Sequence, residues 1–209
     1  MTGIRRIARA LLVLGAAFAF STAAEAAPKA ADLTPQQAEA VREAERTLGA
    51  LKTLRARFLQ VAPSGEISEG TLYLSRPGKL RVEYDPPTGV LVVANGSYFT
   101  FVDTKVDQYS YLDLDSSPAG LLLKPEVRFS GKDARITRVA EPPGVLEITV
   151  VQESDPTAGS LTLVFTRAPF ALAQWRVTDA QGLVTSVTLQ NPETGVSLQD
   201  SLFRTPRPR

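Results

Sequence analysis

Apolar positions set two rhythms along this chain. Val41, Ala44, Leu48 and Leu51 recur every third or fourth residue, which draws one stripe down a helix. The start is signalled by Thr34-Pro35-Gln36-Gln37: Thr34 as N-cap, Pro35 at the first helical position and Gln37 closing a capping box. The helix is expected to end near Lys52. From Leu54 the period falls to two, with Leu54, Ala56, Phe58 and Gln60 on one face of a strand. Short β-rich runs then follow one another between Gly, Pro, Asn and Asp residues: ISEGTLYLS, KLRVEY, GVLVVANG, YFTFVD and DQYSYLDL. SSPAGLLLK breaks the series, and Ser116 or Ser117 with Pro118 predicts a short helix carrying Leu121, Leu122 and Leu123. A second β series runs from Ala134 to Asn191, with Ala180-Gln181-Gly182 as a hairpin loop. The tail from Phe203 is expected to fray.

The fold class is therefore mainly β: one long helix, about eleven antiparallel strands and one short helix. A sheet of that size must curl or close, and its concave face is the natural place for the helices to bury their apolar stripes.

One hairpin raises a question of its own. In GTLYLSRPGKLRVEYDPP, Leu72 and Leu74 share a face, as do Leu80, Val82 and Tyr84, yet Arg76 has the parity of Leu72 and Leu74. Pro77-Gly78 fits a type II turn, which splays its flanking strands. A charge then ends an apolar row.

Composition narrows the chemistry. Arg5, Arg6 and Arg9 precede the eleven-residue apolar run Ala10 to Phe20, and Ala24-Glu25-Ala26 supplies an A-x-A site. Residues 1–26 read as a secretory signal peptide, the run being too short to span a bilayer. A single domain of residues 27–209 follows. Three of the 23 basic and one of the 22 acidic residues lie in the leader, which leaves a net charge of about −1 and no nucleic-acid footprint. The chain has no cysteine and no histidine. Disulfides, thiolate ligands, Ser-His-Asp triads, Cys-His dyads and a lipid-bearing N-terminal Cys are all excluded. Among the acidic residues, Asp113 and Asp115 would point the same way from a strand and could hold Ca²⁺ or act as an acid–base pair; the competing reading is a solvated strand end leading into a helix cap. Phosphate-binding Gly-rich loops are missing. The inventory favours a protein that is not an enzyme and needs no cofactor. Periodicity does not separate a filled core from a ligand cavity.

The order of motifs resembles a known family. Phe58-x-Gln60 follows the helix, then a glycine-led strand, Arg76 to Tyr84 with Pro86-Pro87, Asn95-Gly96 before YFTFVD, SPAGLLL, QWRVTDAQG and a late DSLF. From about residue 47 to 203 this is similar to the periplasmic outer-membrane lipoprotein carriers, the LolA family. The resemblance implies an unclosed antiparallel β-barrel with a helical lid over an apolar cavity. It implies acylated lipoproteins as cargo, a LolCDE-type inner-membrane ABC transporter as donor, a LolB-like outer-membrane receptor as acceptor, the periplasm as location and a monomeric state. Arg76 matches the family arginine that latches the lid. Leu80 and Val82 stand where the family carries aromatic residues on the inner face. Phe58, Leu72, Leu74, Tyr84, Phe99 and Phe101 are further candidate lining residues, and Leu121 to Leu123 fall on the lid helix. Two alternatives stay open: an envelope-stress sensor or lipid-binding module of the same architecture, and a lipid-modifying enzyme using Asp113 and Asp115.

Overall fold

The computed structural model describes residues 27–206, so the predicted signal peptide lies outside the described residues. A helix, α1 (Pro35–Ala50), opens the chain. Its capping box forms as expected: the Thr34 hydroxyl accepts from the Gln37 N–H at 3.2 Å and the Gln37 side-chain oxygen accepts from the Thr34 N–H at 3.0 Å. Ala40, Val41, Ala44 and Leu48 form its buried stripe.

Six strands follow as a meander: β1 (Thr53–Val61), β2 (Ile67–Ser75), β3 (Lys79–Tyr84), β4 (Val90–Asn95), β5 (Tyr98–Asp103) and β6 (Gln108–Asp113). Two short 3-10 helices, Leu114–Ser116 and Pro118–Leu123, lead across to a second meander. This comprises β7 (Ala134–Ala140), β8 (Val145–Gln152), β9 (Gly159–Arg167), β10 (Phe170–Asp179) and β11 (Val184–Thr194). All neighbours are antiparallel, and β1 pairs with β11 to join the meanders into one sheet in the order β6-β5-β4-β3-β2-β1-β11-β10-β9-β8-β7. Strands β6 and β7 are the two ends of that order and do not pair with each other, so the barrel is unclosed.

The period-two pattern sets the register. Leu54, Ala56 and Phe58 of β1 face Leu74, Leu72 and Gly70 of β2, which face Leu80, Val82 and Tyr84 of β3. This inner face carries the main core, with α1 and Pro118–Leu123 lying on it. Gly70 is required by close approach: a Cβ there would sit 2.1 Å from the Glu83 carbonyl oxygen and 2.7 Å from the Phe58 ring. The Phe58 ring fills that space and meets Tyr84 edge-on, with centroids 5.2 Å apart.

Three local expectations are corrected. The Arg76–Pro77–Gly78 turn does not splay its strands, which stay paired up to Ser75 and Lys79. Gly78 has the left-handed φ of +78° that the turn needs, but the loop is fixed from outside: Arg76 N–H donates to Lys52 O at 2.8 Å and Gly78 N–H to Leu123 O at 2.9 Å. Asp113 and Asp115 do not share a strand face, because the strand stops at Asp113. The Asp113 carboxylate accepts from the Asp115 N–H at 2.8 Å, and Asp115 pairs with Lys124 Nζ at 2.6 Å. The tail does not fray at Phe203. Asp200–Phe203 forms a helical turn against β3 and β4 and buries Phe203, tied down by Lys79 Nζ to Asp200 at 2.7 Å and by the Arg81 guanidinium to Leu202 O at 3.0 Å. Outside any helix or strand, Pro125–Phe129 contributes Val127 and Phe129 to the core. Its backbone is held by the Phe129 N–H donating to Glu45 at 2.8 Å.

Candidate functional site

Between α1, the Pro118–Leu123 turn and the inner face of β1–β3 lies a cavity of about 80 Å³. Its walls come from every element of that layer: Leu48 and Leu51 from the end of α1, Leu72, Leu74 and Leu80 from the hairpin, and Leu122 and Leu123 from the roof. Phe99 and Trp175 close it from β5 and β10. Among the described residues Arg76 is the one charged residue in the lining. The volume is that of two or three waters, about half of an apolar cavity that holds one benzene. The lining offers no set of convergent polar partners, so the space is apolar in character although its size would admit water.

Arg76 explains how the roof is held. Its Nη1 donates to Leu48 O in a short hydrogen bond and to Leu51 O at 3.4 Å; its Nη2 donates to Lys124 O at 2.6 Å. These carbonyls belong to the last turn of α1 and to the caps of both elements, where helix ends leave carbonyls short of donors; Leu48 O accepts from the Leu51 N–H at 3.2 Å as well. A cation also suits the negative end of the α1 dipole. One side chain thus caps two lid elements and ties both to the β2–β3 turn. Its acceptors are neutral, and among the described residues no ion pair to a carboxylate accompanies them. Nε is buried without a hydrogen-bond partner. Burial pushes the Arg76 pKa below its ordinary value, though a guanidinium stays charged at any physiological pH. Arg76 is thus a partly desolvated charge whose acceptors, among the described residues, are all backbone carbonyls of the two roofing elements.

Of the residues singled out in the sequence, Leu72, Leu74, Arg76, Leu80, Phe99, Leu122 and Leu123 meet at the cavity. Phe58, Val82 and Tyr84 lie on the same inner face but outside its lining, and Tyr84 donates its hydroxyl to Gln60 at 2.8 Å. Leu121 is buried in the core beside it. Phe101 pairs with Val92 on the inner face yet is 39% exposed, near the free β6 edge. Leu48, Leu51, Leu54, Ala119, Leu172 and Trp175 were not named as lining. The helical stripe already contained Leu48 and Leu51; their use as a wall depends on where α1 lands. Among the described residues no group of acidic side chains is placed to hold a metal ion, and no helix is long and apolar enough to cross a membrane.

Residues 49–206 match the family model described as "Outer membrane lipoprotein carrier protein LolA". A protein of Methylococcus capsulatus named outer-membrane lipoprotein carrier protein is 30% identical over 183 residues, covering 83% of this chain and 84% of its own. One of the same name from Chromobacterium violaceum is 27% identical over 183 residues, covering 81% and 84%. Among solved structures, a DUF1329 family protein from Desulfovibrio piger superposes with a TM-score of 0.51 at 10% identity, over 81% of this chain and 96% of that one, which is a likeness of fold.

Proposed function

This chain belongs to the LolA family of outer membrane lipoprotein carrier proteins, and on that footing we propose that it shelters the acyl chains of lipoproteins and carries them between two membranes of the cell envelope. The mature protein is a single domain beginning at Ala27, working in the periplasm. It takes cargo from an ABC transporter of the LolCDE type in the inner membrane and gives it up at the outer membrane, to a LolB-like receptor where one exists.

One observation carries this reading: an apolar cavity roofed by two elements that a single uncompensated arginine holds down. Each acyl methylene left in water costs about 0.8 kcal/mol, so a lipid anchor crosses an aqueous space only inside an apolar cover. Leucine, phenylalanine and tryptophan walls bind without direction and suit varied cargo. At about 80 Å³ the cavity is far below the 300–1,000 Å³ of a typical ligand pocket. A space this small goes with a closed roof, and loading requires the roof to lift. The free energy of reclosing over Arg76 then helps to expel cargo at the receiver. The carrier itself uses no nucleotide; the transporter supplies the work of loading.

The test is release of a radiolabelled lipoprotein from spheroplasts or inner-membrane vesicles that contain the cognate transporter. Purified mature protein is expected to bring the label into the soluble fraction as a stoichiometric complex. Absence of release with an active transporter overturns the reading.

A further inference from the structure

A second apolar hollow, of about 300 Å³, opens on the other side of the α1 C-terminus. It lies between α1, β1 and the β10–β11 pair, with Phe170, Ala171, Leu189 and Pro192 along its floor and rim. Among the described residues only Thr47 and Thr194 add polar side chains, and no charged side chain lines it. Leu48, Leu51, Leu54 and Leu172 line both this hollow and the roofed cavity. The two spaces are neighbours divided by four leucines.

Three of those leucines are buried: Leu48, Leu54 and Leu172 are each at most 8% exposed. Leu51 is half-buried and sits where the chain leaves the helix, with extended backbone dihedrals. Its carbonyl, like that of Leu48, is an acceptor of Arg76. The latch therefore holds the dividing wall as well as the roof. Releasing Arg76 frees the last turn of α1, and a shift of Leu51 joins the spaces.

We infer that the hollow between α1 and β10–β11 is an acyl subsite continuous with the roofed cavity, taking one fatty acyl chain of the cargo through the wall formed by Leu48 and Leu51. This rests on the carrier reading above. An acyl chain is the occupant that fits, because the lining is apolar, charged groups are lacking, and the closed cavity alone is too small for a chain.

The experiment places a photoreactive amino acid at one position at a time in the full mature protein: Thr47 and Thr194 in the hollow, Leu80 in the roofed cavity, and Glu66 on a distant turn as control. Each variant is loaded with lipoprotein carrying radiolabelled acyl chains and irradiated. Label on Thr47 and Thr194 as well as Leu80, with none on Glu66, is the expected result. Label on Leu80 alone overturns the second subsite and leaves the carrier reading standing. Label on none of them overturns both. As a second measurement, Ala171→Trp fills the hollow and is expected to weaken binding of an acylated peptide about tenfold, the equivalent of about two methylenes left in water. Unchanged affinity in a variant that retains the wild-type melting profile counts against the subsite.

Discussion

The two ends of the sheet use the same alternating code and fill it differently. In β8 and β9 the inward residues Leu146, Ile148, Val150, Leu161, Leu163 and Phe165 are fully buried. In β3 the inward residues Leu80, Val82 and Tyr84 are all only partly buried, and in β5 Phe101 is exposed. One end is a close-packed interior in which side chains meet side chains. The other is a wall facing a void and an open edge. Close packing is thus concentrated in β8 and β9, while the void lies against the helix end, the roof and the β2–β3 hairpin. A carrier needs both, since a lid moves cheaply only over a scaffold that does not move with it.

The largest expected effect lies at the filled end. Phe165 is fully buried and stacks on Phe170 with ring centroids 5.4 Å apart. Phe165→Ala should cost about 3–5 kcal/mol in urea denaturation, as lost burial plus the cavity left behind. A loss below about 1 kcal/mol would show that this end is as loosely filled as the other.

Next comes the latch. Arg76→Leu removes charge-assisted hydrogen bonds whose loss typically costs about 1.5–3 kcal/mol, enough to shift a balanced lid equilibrium tenfold or more. The variant should accept lipoprotein and hand it on poorly, because release no longer gains from reclosing. Trp175, the sole tryptophan of the chain, lines the cavity and reports the roof: its emission should move to the red in Arg76→Leu without cargo. Normal transfer by this variant would falsify the latch role.

Leu80→Ala is the milder counterpart of Phe165→Ala. Leu80 borders a void and is already partly exposed, so it has fewer contacts to lose. A stability loss of about 1 kcal/mol is expected, with a larger proportional effect on binding of an acylated peptide. If Leu80→Ala and Phe165→Ala cost the same in denaturation, the contrast between the ends fails.

The architecture was legible because its causes are local. The capping box of Thr34 and Gln37, the helical stripe and the eleven alternating runs each act within a few residues, and the structure realises them. The difference between the ends was not legible, because Leu80 and Leu163 carry the same pattern and differ only in what lies opposite. Arg76 showed as a charge on an apolar row. Its acceptors, 25, 28 and 48 positions away, are backbone carbonyls that any residue type supplies, so nothing in composition marks them. Phe203 misled for the same reason. Proximity to the terminus argued for fraying, while the residues that tie down its turn, Lys79 to Asp200 and Arg81 to Leu202, lie 121 residues earlier. The segment Pro125–Phe129 has no periodicity to read, and only the placement of α1 brings Glu45 to the Phe129 N–H.

The smallest effect separates two kinds of arginine. On the outer face Arg57 grips Asp85 with both terminal nitrogens, one hydrogen bond at 2.9 Å and the other shorter, and Thr71 accepts a third at 3.3 Å. The Arg57 hydrogen bonds hold the Asp85 carboxyl below its usual range. A folded-state value below the unfolded one, about 3.9, means that the unfolded chain takes up the proton first. The contribution of the pair is therefore complete above the unfolded value and disappears as pH falls through the folded one. Asp85→Asn should lower stability slightly near neutrality, and the gap from wild type should close on acidification below about pH 4. Salt should narrow the gap too, since the pair is exposed. The Arg76 latch has only carbonyl acceptors, which do not titrate, so the effect of Arg76→Leu on Trp175 emission should stay constant across the acid range in which the fold persists. A latch effect that faded in parallel with the Asp85→Asn gap would mean that Arg76 depends on a carboxylate after all, and the lid would then be an acid-sensitive device rather than one driven by cargo alone.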